Sequence, residues 1–166
     1  MLGNFRKRKR GRGGTRWLET RIPPPLVMLV LGAVAYGISH IAPSAAFYLP
    51  FSTAASVILV ITGLALNLLP KLRFHQANTT VNPLQPGRTT RLVTSGIYRH
   101  TRNPMYLGHA AILSGWALHL GNTISLVVVP AFVIFITCFQ IIPEERALEA
   151  MFPDYKSFRL RTRRWL

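Results

Sequence analysis

The chain has 166 residues, 49% of them hydrophobic, and carries 20 Lys and Arg against five acidic residues, a formal charge of +15. A soluble domain of that charge would suggest nucleic acid, but the cations fall in three blocks, Arg6 to Arg21, Lys71 to Arg102 and Arg146 to Arg164, holding eight, six and six. The apolar stretches between the blocks hold none, which sets nucleic acid aside and predicts a polytopic membrane protein whose basic segments stay in the cytoplasm.

Residues 1–22 read as a basic cytoplasmic tail and 23–166 as one membrane domain. The leader Phe5-Arg6-Lys7-Arg8-Lys9-Arg10 is expected to be disordered and to rest on anionic headgroups, each cation contributing on the order of 1 kcal/mol. A topology signal alone is the plainer reading of it. A secretory signal peptide, with Pro43-Ser44-Ala45-Ala46 near its cleavage site, is the rival for the first apolar segment; the long basic leader and three further spans weigh against it.

Four spans are predicted, at about 26–42, 49–69, 105–120 and 123–142. A crossing needs roughly 20 residues. The second and fourth suffice, the first extends back over Pro23, Pro24 and Pro25, and the third opens at Pro104, since proline is tolerated in a first helical turn. The uncharged connections around 42–48 and 121–122 make two helical hairpins with both termini cytoplasmic, an all-α multi-pass protein of a bacterial inner membrane. Cys138 lies in an apolar run and reads as a small buried hydrophobe. Gly63, Gly108 and Gly115 offer close helix approach, within the chain or between copies.

The cytoplasmic segment from Lys71 to Asn103 is too long for a simple connector, and its end, Leu92-Val93-Thr94-Ser95-Gly96-Ile97-Tyr98, has an ordered composition. Then come Arg99-His100-Thr101-Arg102-Asn103-Pro104-Met105-Tyr106. Pro104 starts a helix whose free N–H groups suit a carboxylate or phosphate, with Arg99 and Arg102 close by. An interfacial belt of Arg and Tyr is the structural alternative. After the fourth span, Pro143-Glu144-Glu145 carries two of the five acidic residues. Helix capping explains carboxylates there, but the hairpin returns them to the boundary that holds Arg102 and Tyr106. Cations, a helix N-terminus, aromatic rings and two carboxylates facing both cytosol and lipid fit an amphiphilic zwitterion such as S-adenosylmethionine. The stretch from Glu144 to Arg164, with Leu148, Met151, Phe152, Tyr155, Phe158 and then Trp165 among cations, predicts an amphipathic helix on the membrane, interrupted near Pro153.

These motifs together, with Leu107-Gly108 after Tyr106 and Leu148, Phe152 and Tyr155 after the glutamates, resemble the isoprenylcysteine carboxyl methyltransferase family and its bacterial members, similar in turn to membrane phospholipid methyltransferases. The likeness covers about 74–155. It implies a membrane enzyme that binds S-adenosylmethionine at its cytosolic face and methylates a lipophilic or lipidated substrate. It also implies a cofactor pocket of Leu92, Val93, Tyr98, Arg102, Asn103, Pro104, Met105, Tyr106, Glu144 and Glu145, with Glu144, Glu145 and Arg102 as catalytic candidates. Arg102 and the amides near Pro104 would hold the methionyl carboxylate, Glu144 and Glu145 would accept from amine or ribose, and Tyr98 and Tyr106 would wall the adenine. Eukaryotic members have histidine where this chain has Asn103, and a substrate-carboxylate arginine where it reads Phe139-Gln140.

A carboxylate acceptor needs no base, whereas a phospholipid amine must first lose a proton, to Glu144, Glu145 or His100. No metal site is expected. Two other classes compete: a haem protein using His40 and His119, which share one end of the spans, and a lipid-binding scaffold, which leaves both motif clusters unexplained.

Overall fold

A computed structural model describes residues 18–76 and 92–166 of the chain. The basic leader and the part of the expected cytoplasmic segment at 77–91 lie outside the described residues. Helices are the regular structure throughout them. Helix α1 is Pro24–Ile41, α2 Ser52–Gln76, α3 Pro104–His119, α4 Val128–Ile136, α5 Ile142–Met151 and α6 Tyr155–Arg161.

Helix α1 begins within the proline run, as predicted, because its first-turn amides need no intrahelical acceptor. Helix α2 starts three residues later than predicted. The chain turns at Leu49, whose carbonyl accepts the Ser52 N–H at 3.1 Å, and Phe51 is held at φ +64. A non-glycine residue in the left-handed region cannot continue a helix, so the helix opens after it. Helix α2 then runs through Pro70 and beyond the predicted end.

The predicted fourth span does not stop at Pro143. A helical run from Ile124 to Met151 passes straight through it, with a single π turn at Thr137–Ile141. Proline withholds the N–H that would reach the carbonyl four residues back, Phe139. The Thr20 N–H takes that carbonyl instead at 2.8 Å, and Gln140 Nε2 donates to the Ile22 carbonyl at 2.6 Å. The segment before α1 therefore repairs the helix that proline would otherwise interrupt. Cys138 is exposed on this run rather than buried, the reverse of the expectation.

Among the described residues three helices are long and apolar enough to cross a membrane: Pro24–Ile41, Ser52–Leu72 and Ile124–Met151. Helix α3, at 16 residues, reaches only about 24 Å at 1.5 Å per residue. It is the central helix nonetheless. α2 packs along α3 more extensively than along any other element, and α1 packs on α3 and α4. The close α2–α3 approach depends on the three glycines: a Cβ on Gly108 would meet the Gly63 carbonyl oxygen at 2.6 Å, one on Gly63 the Gly108 oxygen at 2.6 Å, and one on Gly115 the Ser56 oxygen at 2.8 Å. The small-residue faces are thus used within the chain.

Sequence neighbours α1 and α2 do not pack closely as the expected hairpin. They diverge over α3 and leave an open apolar groove between them, crossed at its floor by the Trp116 Nε1 bond to the Gly32 carbonyl at 3.0 Å. The two predicted connections at that end are stitched together. Phe47 N–H donates to Gly121 O at 2.7 Å, Thr123 N–H to Ala45 O at 2.9 Å, and Asn122 Nδ2 to Ala42 O at 2.7 Å. Gly121, at φ +59, makes the turn. The main core is Ala35, Leu113, Ala117, Val128, Phe132, Ile136 and Ile141, where α1, α3 and α4 meet.

Candidate functional site

The end of the bundle opposite these connections carries the polar residues. Gly96, at φ +64, turns the chain into a 3-10 turn, Gly96–Arg99, which buries Tyr98. Tyr98 packs with Tyr155 and Phe158, and around them lie Leu92, Val93, Ile97, Leu148 and Phe152. The apolar face of the predicted amphipathic stretch therefore closes on the segment before α3. The interruption near Pro153 is present as the gap between α5 and α6. Burial first and the Glu144 charge second push the Tyr98 hydroxyl well above its ordinary range, so it stays neutral.

Helix α3 presents Tyr106 one turn from its start, and its hydroxyl donates to Glu144 Oε1 at 2.6 Å. A hydroxyl–carboxylate bond of that length is charge-assisted and strong. Glu145, its neighbour on α5, turns the other way. Its side chain is 8% exposed; Arg102 Nη1 lies 2.9 Å from Oε1, and Arg164 donates from Nε to Oε1 at 3.1 Å and from Nη2 to Oε2 at 2.8 Å. Arg164, bound to that carboxylate, is held charged more firmly than usual. The Arg102 contact is an ion pair without an aligned hydrogen bond, and its Nε, on a side chain only 9% exposed, has no hydrogen-bond partner among the described residues. Tyr155 lies beside Arg102 and Glu145; burial and the Glu145 charge raise its pKa, and Arg102 opposes them.

The C-terminal residues organise this end, which their sequence hardly announces. Asn103 Nδ2 donates to the Arg164 carbonyl at 2.9 Å, Thr101 Oγ1 to the same carbonyl at 3.3 Å, and Arg102 N–H to Arg163 O at 3.0 Å. Trp165 Nε1 donates to Thr137 Oγ1 at 3.1 Å, in the π turn. The strap from Thr162 to Trp165 thus holds the Thr101–Asn103 bend against α5. Arg163, Arg164 and Trp165 carry no motif; the visible signal was the third basic block, which starts beside the glutamate pair and is followed by tryptophan.

Of the ten cofactor residues expected, Tyr98, Arg102, Tyr106, Glu144 and Glu145 converge here, with Leu92 and Val93 on the Tyr98 cluster. Asn103 faces the strap. Pro104 is buried at the start of α3, which no side chain caps. Met105 offers its carbonyl to His109 Nδ1 at 2.7 Å. Gln140, where a substrate arginine was expected, is the buried anchor to Ile22. His40 packs at a tilt against Tyr36, and His119 stacks on Trp116. Among the described residues no group of three or more His, Cys, Asp or Glu side chains is placed to hold a metal ion.

No solved structure matches the chain. An uncharacterized protein of Haemophilus influenzae is 43% identical over 63 residues, which are 37% of this chain and all of that protein. Residues 51–155 match the phospholipid methyltransferase family, a stretch that contains α2, α3 and both glutamates. The chain therefore belongs to that family of membrane methyltransferases, part of the isoprenylcysteine carboxyl methyltransferase-like group.

Proposed function

We propose that this protein transfers a methyl group from S-adenosylmethionine to a lipophilic acceptor within a bacterial inner membrane, with the polar end of the bundle and both termini facing the cytoplasm. The observation that carries the reading is the 2.6 Å bond between Tyr106 and Glu144, residues from separate helices, beside a buried Arg102 whose Nε is unpartnered among the described residues.

The residues fit the cofactor. Arg102 and the uncapped first turn of α3 would hold its carboxylate. Glu144 would accept from its ammonium or ribose hydroxyls, and Leu92, Val93 and Tyr98 would form the apolar wall for adenine. When bound, the cofactor supplies a methyl group made electrophilic by a sulfonium. The protein's part is alignment and exclusion of water. Tyr106 fixes the orientation of Glu144. Glu145 and Arg164 fix Arg102, and the Tyr98, Tyr155 and Phe158 cluster keeps that side dry.

The acceptor is either a carboxylate of the isoprenylcysteine type or a phospholipid amine. The second is favoured by a specific observation. Arg102 is committed in this reading to the cofactor's carboxylate, and Gln140 is bound to a backbone carbonyl, so neither is left to hold an acceptor carboxylate. Glu144 is the candidate to receive a proton from an acceptor ammonium, in which case the cofactor's ribose or amine is left to its second oxygen.

The test is to incubate purified protein with methyl-labelled S-adenosylmethionine and total membrane lipid, then treat the labelled lipid with base. Label lost as volatile methanol identifies an ester, and label retained identifies a methylated amine. Absence of lipid labelling by protein that binds S-adenosylhomocysteine would refute transfer to a lipid acceptor.

A further inference from the structure

The groove between α1 and α2 lies away from the polar site. On α3 it begins at Ile112 and ends at His119, whereas Tyr106 is on the first turns of the same helix. At 1.5 Å per residue, Ile112 is about 9 Å beyond Tyr106 and His119 about 20 Å beyond it. On α1 the groove runs from Met28 to Tyr36, about 12 Å by the same rise. Half the hydrocarbon core of a bilayer is about 15 Å, so its length matches one leaflet. Its volume is about 650 Å³, inside the range of about 300–1,000 Å³ typical of ligand pockets.

Almost all of the lining surface is apolar, and the few polar side chains in it lie toward one end. From Met28 and Ile112 to mid-groove it is apolar, while Tyr36, Thr53 and His119 gather at the end remote from the site. Ser56 sits toward that same end, nine-tenths buried, its hydroxyl without a hydrogen-bond partner among the described residues. Trp116 forms the floor, its N–H bound to Gly32 and its ring stacked on His119 at 6.0 Å. Tryptophan, tyrosine and histidine beside polar hydroxyls are the composition of a membrane interface. The α1 wall lies outside the stretch that matches the family, and the α2 and α3 walls lie inside it.

We infer that the groove is a binding site for one acyl chain of a bilayer phospholipid from the leaflet opposite the polar site. The chain enters between α1 and α2, and the headgroup end rests at Tyr36, Thr53 and His119. It fills the space left where α1 and α2 diverge. This site is separate from the methyl-transfer site and does not depend on the proposed reaction.

The test uses phosphatidylcholine bearing a diazirine in mid-chain, in nanodiscs, with the full chain. Its amine is fully methylated, so it cannot serve as an amine acceptor. Photolabel is mapped by mass spectrometry in the natural protein and in Gly32→Leu. A Cβ on Gly32 would meet Trp116 and Leu113 at 3.7–3.9 Å, ordinary contact, and the leucine's branches are chosen to occupy the groove. A second variant, Val57→Phe, fills it from α2. The expected result is label concentrated on groove residues of α1 and α2, reduced at least fivefold in both variants, with S-adenosylhomocysteine affinity unchanged. Label spread equally over the outward faces of α2, at Ile58 and Leu68, and unaffected by either variant overturns the inference. So does lipid labelling by the methyltransfer reaction that falls in both variants while the photolabel stays, which assigns the groove to the acceptor's tail.

Discussion

Glu144 and Glu145 are adjacent, yet removing their charges should have opposite consequences. In Glu145→Gln the arginine pair loses its common carboxylate. Breaking a buried ion pair costs about 3–5 kcal/mol. The Arg102 and Glu145 side chains are 9% and 8% exposed, but Arg164 is 37% exposed and can recover water, so the lower end, about 3 kcal/mol, is expected. For a chain of this size that corresponds to a fall in melting temperature of roughly 6–12 °C. Glu144→Gln keeps an oxygen that accepts from Tyr106 and loses only the charge assistance, about 1 kcal/mol, so its melting temperature should move by no more than about 4 °C. If Glu144 receives the cofactor's ammonium, the same substitution removes a charged hydrogen bond of about 1.5–3 kcal/mol, a loss of roughly 10- to 150-fold in affinity. Thermal unfolding in detergent followed by tryptophan fluorescence, with calorimetric titration of S-adenosylhomocysteine, reads both quantities. A Glu145→Gln protein that melts within 2 °C of the natural one, or a Glu144→Gln protein of unaltered affinity, would refute the division of labour drawn from the geometry.

Three further outcomes follow from the packing and the charges. Gly108→Ala should destabilise by about 1–3 kcal/mol, because the new methyl group meets backbone oxygen at 2.6 Å, whereas Gly37→Ala, with nothing within 4 Å, should be neutral or stabilise by up to about 1 kcal/mol; paired melting curves decide it. Arg164→Lys retains the charge but not the two-pronged bond to Glu145, and should lower stability by about 1 kcal/mol while weakening cofactor binding less than Glu144→Gln does; equal melting temperatures would show that the fork geometry is immaterial. Tyr98 has a raised folded-state pKa, so its contribution to stability is complete below the unfolded value of about 10 and is lost as pH rises through the folded value. Melting temperatures taken from about pH 9 to about pH 11 should therefore fall less steeply in Tyr98→Phe than in the natural protein.

Much of the site was legible in the chain because its parts are local signals. Pro104 and the glycine before Tyr98 mark where a helix and a turn begin, and apolar length alone returns Glu144 to the level of Tyr106. What was hidden is relational. Nothing in Pro143 reveals that the carbonyl it frees will be taken by Thr20, more than a hundred residues earlier, so a helix end was expected where one helix continues. Likewise, two adjacent glutamates look equivalent until the C-terminal strap claims one of them. Helical hairpins inferred from short connections imply that sequence neighbours pack together. Here the glycines of α2 and α3 win that competition, since their backbones approach within reach of a single methyl group, and α1 is drawn onto α3 and α4 instead. The same choice that makes α3 central orients both ends of the molecule. Its first turns carry Tyr106 to the glutamates, and its last turns form the floor of the groove that α1 and α2 leave open. A substitution in the middle of α3 that loosened the glycine contact should therefore disturb the polar site and the groove together, even though the two share no residue.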